Sequence, residues 1–203
     1  MNLSKGLHYL SSVDSKMGKL INEYPPPNFD SDENAFLSLI KYLIYQQLSS
    51  KSASAIFNRY KELFKHKDYG NPKDVISIDK NKFKSIGLSK QKIEYIYNVA
   101  DFFSDNILID NFLNYSDDHI KDLLIKIKGV GPWTIDMFLM FTLKREDIMP
   151  FSDLGIKKGF LKYYDLDYFP TLSFMQRQSQ IWSPFRSIAS IYLWHLVDDD
   201  FKW

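Results

Sequence analysis

The sequence lacks cysteine altogether and contains only four histidines in 203 residues, at positions 8, 66, 119 and 195. Without cysteine the chain can form no disulfide, no thiolate zinc site and no iron–sulfur cluster. The histidines follow no metal-ligand spacing. We therefore expect neither a protein-bound catalytic metal nor a cofactor in this protein.

Long apolar runs are also missing, because no stretch reaches the roughly eighteen residues that a membrane-spanning helix needs. The first ten residues are polar, include Lys5 and lack the apolar core of a signal peptide. These absences predict a soluble cytoplasmic protein with no membrane contact, and we expect it to be a monomer.

A large excess of one charge is absent as well, since the net charge is only +1. The charges are nevertheless unevenly spread: residues 50–92 contain 11 Lys/Arg against 4 Asp/Glu, a balance of +7, and residues 165–203 contain 3 against 5. A basic face on a nearly neutral protein is typical of nucleic-acid binding. A lysine-rich solvated surface without a ligand explains the pattern equally well.

Apolar and aromatic residues are abundant, at 45% and 16% of the chain, and they recur at helical spacing almost throughout. No alternating strand pattern, internal repeat or low-complexity linker interrupts them, so the sequence predicts an all-α fold. The predicted helices are Leu3–Ile21, Ala35–Ile44 after a cap at Ser31 or Asp32, Ala53–Phe64, short helices after Pro72 and Ile78, Lys90–Phe103, Asp117–Ile125, Pro132–Leu143, Leu154–Tyr163, Leu172–Ile181 and Pro184–Val197.

The turn at residues 129–131 joins two of these helices and reads Gly-Val-Gly before Pro132. Both glycines leave room for another surface and permit a positive φ, while Val130 is expected to anchor the turn in the core. Exposed N–H groups beside a helix start suit a DNA phosphate. The same backbone could hold a structural monovalent cation. An ordinary helix–turn–helix without a ligand is the alternative for this segment.

A single carboxylate, Asp153, follows this turn by roughly twenty residues. Asp before Leu-Gly-Ile is a good helix N-cap, and that role alone could account for it. A helix over residues 132–143 would be about 18 Å long, and the next nine residues can span up to roughly 30 Å. The chain is therefore long enough to return Asp153 to Trp133 at the start of that helix.

Four segments in this order resemble the helix-hairpin-helix DNA glycosylases that have a glycine/proline-rich loop and an aspartate. They are Tyr45-Gln-Gln-Leu-Ser49, Lys128-Gly-Val-Gly-Pro-Trp-Thr134, Ser152-Asp-Leu-Gly155 and Trp182-Ser-Pro-Phe-Arg-Ser187 with Tyr192-Leu-Trp194. The branch they resemble most is 3-methyladenine DNA glycosylase II, over roughly residues 4–197. The resemblance implies two helical lobes around a DNA-binding cleft. One is a central domain of residues 36–148 containing the helix-hairpin-helix at about 117–143, and the other combines residues 1–35 and 149–203.

The resemblance also assigns roles to residues. Asp153 would be the catalytic aspartate, Trp133, Trp194 and Met137 would line the base pocket, and the 46–49 segment would wedge into the duplex. The residues expected to contact DNA are Gln47, Leu48, Ser49, Lys128, Gly129, Val130, Gly131 and Thr134. Two alternatives remain open at this stage, because Trp194 could be simple core and Gln47 could only end a helix.

The activity implied is removal of alkylated purines such as 3-methyladenine and 7-methylguanine from damaged double-stranded DNA, by base flipping and hydrolysis of the N-glycosidic bond. Trp133 stands where bifunctional relatives have a nucleophilic lysine, so a monofunctional enzyme is expected. No additional β-rich domain is expected at the start of the chain, which leaves the substrate range open. A glycosylase for deaminated or oxidised bases and a non-catalytic DNA-binding protein are the alternatives.

Overall fold

The computed structural model describes residues 1–29, 34–64, 70–105 and 112–198. These residues form helices joined by short turns and contain no β-strand, which confirms the all-α prediction for the described part of the chain. The α-helices are α1 Leu3–Val13, α2 Ser15–Glu23, α3 Ala35–Tyr45, α4 Ser50–Leu63, α5 Pro72–Ser77, α6 Lys80–Ser85, α7 Lys90–Asp105, α8 Asp117–Leu124, α9 Pro132–Met137, α10 Leu154–Tyr163, α11 Leu172–Gln178 and α12 Arg186–His195. None of these helices combines the length and the apolar character needed to cross a bilayer.

The chain divides into two compact units. The central unit consists of Ser31–Phe138, and the terminal unit consists of Met1–Asp30 with Leu139–Trp203. The second border lies between Phe138 and Leu139, whereas the border predicted from the sequence follows residue 148.

Helix α3 forms the middle of the central unit and packs against α4, α7 and α9. Eight of its eleven residues are buried, including Ser38 and Tyr42, so α3 is enclosed on all sides and not along one stripe only. An aromatic cluster of Phe57, Tyr60 and Phe83 fills the space beside α4.

Helix α12 has the corresponding position in the terminal unit, where it packs against α1, α2 and α10. Nine consecutive residues, Ser187 to His195, are buried. This burial explains why the segment is rich in apolar and small residues, since a helix surrounded by other helices has no solvated face.

Several predicted helix limits were wrong for identifiable reasons. The single helix expected over Leu3–Ile21 is two helices, because Asp14 leaves the helical conformation and its side chain caps α2 by accepting from Lys16 N and Met17 N. Helix α3 is capped by Asn34, and the predicted caps Ser31 and Asp32 lie outside the described residues. The last helix begins at Arg186, so Pro184 precedes it and does not occupy its first turn.

The helix after the hairpin also differs from the prediction. Its α-helical part ends at Met137, and residues Phe138–Thr142 continue as a π-helical turn. Such π-helical turns, in which the helix is wound more widely, are rare in proteins. Those that do occur are often found near functional sites.

Candidate functional site

The hairpin of residues 128–131 lies in the central unit between α8 and α9. Gly129 has a φ of +107°, and a Cβ at this position would lie 2.2 Å from Cγ of Tyr95. Val130 is 3% exposed, as expected of the residue that anchors the turn, and its N–H donates to Ile127 O at 3.0 Å. Glycine is therefore required at position 129 for two reasons, the positive φ and the Tyr95 ring that packs against it.

Gly131 differs from Gly129, although the sequence predicts the same role for the two glycines. It is the N-cap of α9, with an extended backbone at φ −107° and ψ 178°. No described atom outside its chain neighbours lies within 4 Å of the position that a Cβ would take. Gly131 therefore does not adopt the positive φ that glycine permits, and it faces open space at the start of α9.

The segment of residues 46–49, called the 46–49 loop below, ends α3 and begins α4. Gln46 is the C-cap of α3, Gln47 adopts a left-handed conformation with φ +56°, and Ser49 caps α4 by accepting from Ser52 N. Leu48 is 40% exposed. A left-handed glutamine beside an exposed leucine is unusual in a helix connection and is typical of functional loops.

The other predicted residues of the central unit are less accessible. Trp133 is half-buried and Met137 is buried. Thr134 is fully buried, and its hydroxyl accepts from Nε2 of Gln46 at 2.8 Å. The whole residue, backbone included, is buried, so the structure offers no accessible atom for the predicted DNA contact of Thr134, which stays a prediction.

Asp153 and Trp194 lie together in the terminal unit. Oδ1 of Asp153 accepts from Ile156 N at 2.8 Å, which caps α10, and from Nε1 of Trp194, also at 2.8 Å. Gly155 makes room for the indole, because a Cβ there would lie 2.7 Å from Trp194 Cδ1. Asp153 is thus both a helix cap and an oriented carboxylate, so its capping role does not exclude a catalytic one.

Trp194 is 5% exposed, and its ring stacks at 6.2 Å and 25° on Phe141. The structure thus gives the indole a contact that the sequence did not indicate, the hydrogen bond to Asp153. Its predicted role in stacking on a base stays a prediction.

The segment that leads to Asp153 is attached to the start of α12 by side chains that the sequence analysis did not assign. The Arg186 guanidinium donates to both carboxylate oxygens of Asp147, at 2.7 and 2.9 Å, and Ser183 Oγ donates to Oδ2 at 2.9 Å. Burial opposes the charge of Asp147, but the hydrogen bonds from Arg186 and Ser183 outweigh it and keep the pKa below its usual value. Ser187 Oγ accepts from Ile148 N at 3.0 Å.

Asp136 on α9 is a further group that no motif distinguished. Burial raises the pKa of its carboxyl to about 7, and the charge of Lys121 on α8 lowers it only in part. Near neutral pH, this helix therefore contains an acid that is ionised in only part of the molecules.

Replacing Asp136 with asparagine is expected to stabilise the protein at pH 8 but not at pH 4. The Asp136 carboxyl of the wild type ionises near pH 4 in the unfolded chain and near pH 7 in the folded one. The free energy of unfolding therefore falls as the pH rises from 4 to 7 and is constant above that range. At about 1.4 kcal/mol per pKa unit, we expect the variant to gain roughly 2–4 kcal/mol at pH 8. Urea unfolding at both pH values measures the difference.

Asp122→Asn on α8 is the matched control, because this aspartate is exposed. It should change the free energy of unfolding by less than about 0.5 kcal/mol at either pH. Equal effects of Asp136→Asn at pH 4 and pH 8 would contradict the prediction.

A chain whose described residues form helices without strands, with a glycine hairpin before a short helix and an oriented aspartate capping a later one, has the features of a helix-hairpin-helix protein. The chain belongs to the HhH-GPD superfamily of base excision DNA repair proteins, whose sequence profile matches residues 40–184.

Individual relatives agree with this assignment. The chain is 31% identical over 198 residues to DNA-3-methyladenine glycosylase 1 of Schizosaccharomyces pombe, covering 95% of this chain and 87% of the relative. It is 30% identical to a putative DNA-3-methyladenine glycosylase of Bacillus subtilis, covering 82% of this chain and 60% of that one. A solved structure of the Schizosaccharomyces pombe 3-methyladenine DNA glycosylase in complex with abasic DNA superimposes with a TM-score of 0.88, covering 98% of this chain and 100% of that one, at 31% identity.

Proposed function

We propose that this protein is a monofunctional DNA glycosylase that removes alkylated purines of the 3-methyladenine and 7-methylguanine type from double-stranded DNA. The observation that carries the proposal is the carboxylate of Asp153, oriented at one oxygen by the donors of Ile156 and Trp194 in a chain of the HhH-GPD superfamily. The names of the relatives at 30–31% identity support the same substrate class.

The chemistry explains why one carboxylate suffices. A purine alkylated at N3 or N7 carries a positive charge, so it accepts the electron pair of the C1′–N bond and leaves without a general acid. Positive charge then develops on the sugar, and a fixed anion stabilises it electrostatically. Water bonds to C1′ and gives up a proton, for which the same carboxylate is a suitable acceptor.

Flipping the damaged nucleotide out of the duplex costs a few kcal/mol, and less where pairing is weak. Stacking on an aromatic side chain is worth about 1–3 kcal/mol per base. Trp133 offers such a ring, and Gln47 and Leu48 are the residues we propose to fill the vacated stack. The exposed position of Leu48 supports this role. The hairpin N–H groups other than that of Val130, which donates to Ile127 O, would bind a phosphate of the same strand.

Trp133 determines the proposed outcome at the abasic site. A lyase forms a Schiff base with an amine, and this position, which follows Pro132 at the start of α9, contains an indole that cannot do so. We therefore expect the reaction to end with hydrolysis and an intact strand.

The test uses methylated duplex DNA and measures the released bases by chromatography and the strand by denaturing electrophoresis. We expect release of 3-methyladenine and 7-methylguanine and an intact strand, which breaks only after heating in alkali. Strand cleavage without alkali would refute the monofunctional mechanism. DNA binding without release of any base would show a non-catalytic DNA-binding protein. Release of deaminated or oxidised bases alone would show a glycosylase with a different substrate class.

A further inference from the structure

One face of α7 contacts both elements that we propose to touch DNA. Lys92, Tyr95 and Asn98 are three residues apart and therefore share a face of the helix. The Lys92 ammonium donates to Ile44 O at 2.6 Å and to Gln46 O at 2.8 Å. The Tyr95 ring packs against Gly129, and Asn98 Nδ2 donates to Lys128 O at 3.0 Å. Helix α7 thus contacts the 46–49 loop at one point and the hairpin at two.

The loop and the hairpin are also joined directly. Nε2 of Gln46 donates to Gly129 O at 3.1 Å and to Thr134 Oγ1 at 2.8 Å, which uses both of its hydrogens. The acceptors belong to the hairpin and to the first turn of α9. The carbonyl of Gln46 accepts from Lys92, so this residue is constrained at both its backbone and its side chain.

These constraints lie next to a strained residue. Gln47 has φ +56°, a conformation that costs a residue with a Cβ about 1–2 kcal/mol and persists only where its neighbours determine it. Gln46 is the neighbour on one side, and on the other Ser49 bonds to Ser52 N and to Ser52 Oγ. The exposed Leu48 is therefore presented from a short segment that is constrained at both ends.

Lys92 differs from Lys90 in its exposure, although both lie on α7 in the basic segment at residues 50–92. It is half-buried, whereas Lys90, two residues earlier on the same helix, is exposed. Its ammonium bonds to carbonyls near the C-terminus of α3, where the helix dipole favours a cation. Burial lowers the pKa of Lys92. This agrees with an ammonium that binds backbone carbonyls and not a DNA phosphate.

We infer that Lys92 and Gln46 are positioning residues that fix the 46–49 loop relative to the hairpin, so that a phosphate bound at the hairpin directs Leu48 into the duplex at a defined nucleotide. This inference rests on the proposed function, in which Gln47 and Leu48 enter the base stack. Neither Lys92 nor Gln46 need touch DNA or the damaged base.

The test compares Lys92→Met with Lys90→Met, which remove the same charge from the same helix. The probe is a duplex with a tetrahydrofuran abasic analogue next to 2-aminopurine, whose fluorescence rises when a side chain enters the stack and separates the bases. We expect Lys92→Met to lose most of the fluorescence increase at saturating protein while its Kd rises less than about threefold. Lys90→Met, which removes an exposed lysine, should keep the full increase at saturation.

Two further variants keep the test decisive if Lys92→Met does not fold. Gln46→Met removes only the two side-chain donors and should also lose fluorescence at saturation. Lys92→Arg keeps donors for the two carbonyls and should restore at least half of the signal. A full signal for Lys92→Met or Gln46→Met, or equal behaviour of Lys92→Met and Lys90→Met, overturns the inference.

The fluorescence needs no excision, so the two proposals fail separately. A wild-type protein that inserts into the stack but releases no base refutes the proposed function and leaves the positioning roles standing. A wild-type protein that releases alkylated purines without any fluorescence change refutes the positioning roles alone.

Discussion

Asparagine in place of Asp153 is expected to lower the rate of alkylpurine release by about a thousandfold while leaving the fold intact. The loss follows from the charge, since a neutral amide cannot stabilise the positive sugar, and removal of one preorganised electrostatic contact typically costs a factor of 10²–10³ or more. The measurement is single-turnover release of 7-methylguanine from methylated duplex DNA, because this rate reports the chemical step and not product dissociation.

The geometry at one carboxylate oxygen suits this substitution. Two hydrogen bonds to Asp153, from Ile156 N and from Trp194 Nε1, end on the same oxygen. An asparagine can present its carbonyl oxygen to both donors, and asparagine caps helices about as well as aspartate. We therefore expect the free energy of unfolding to change by less than about 1 kcal/mol.

The control is Asp14→Asn, because the terminal unit contains a second aspartate that caps a helix and accepts from an indole. Oδ1 of Asp14 bonds to Lys16 N and Met17 N, but Trp182 Nε1 donates to Oδ2 at 2.9 Å. An asparagine cannot accept on both sides, so this variant should lose about 1–3 kcal/mol of stability yet retain its rate of base release. If Asp153→Asn kept full activity, or lost it only in proportion to lost stability, Asp153 would be a cap and nothing more.

The contrast between these two aspartates shows what a local pattern can and cannot predict. The sequence around Asp153 correctly indicates a helix start, because capping depends on residues within one turn. The bond to Trp194 joins residues 41 positions apart. No spacing rule reveals such a contact, because it depends on how α10 packs against α12. Asp14 lies inside an apolar pattern that reads as one helix, so its capping role was missed.

The hairpin is a second case in which the local sequence predicts some features and misses those that depend on a residue elsewhere in the chain. Its position, the buried Val130 and the helix that follows were predictable from the order of glycine, valine and proline. The different requirements at Gly129 and Gly131 were not predictable, because they depend on the position of Tyr95, a residue of α7 far earlier in the chain. Likewise, the resemblance drew attention to Gln47, whereas the contacts that constrain the loop belong to Gln46 and Lys92.

Alanine in place of Gly129 is expected to destabilise the protein by about 2–6 kcal/mol. A residue with a Cβ is strained at φ +107°, which costs about 1–3 kcal/mol, and the methyl group would lie 2.2–2.7 Å from Cβ, Cγ and Cδ1 of Tyr95. The Cβ of Tyr95 cannot move without the helix, and moving the ring changes its rotamer, so the overlap adds about 1–3 kcal/mol. Urea unfolding measures the loss, and adding Tyr95→Ala should recover only the part due to the ring.

Gly131→Ala is the control that separates folding from binding within the same hairpin. Its extended backbone and the open space around it predict a change in stability of less than about 1 kcal/mol. The added methyl group would instead occupy the space through which a phosphate approaches the N–H groups of α9, so we expect DNA binding to weaken about tenfold. Equal destabilisation by the two alanine variants would contradict the different roles that the structure gives to these glycines. Unchanged DNA binding by Gly131→Ala would place the phosphate elsewhere on the protein.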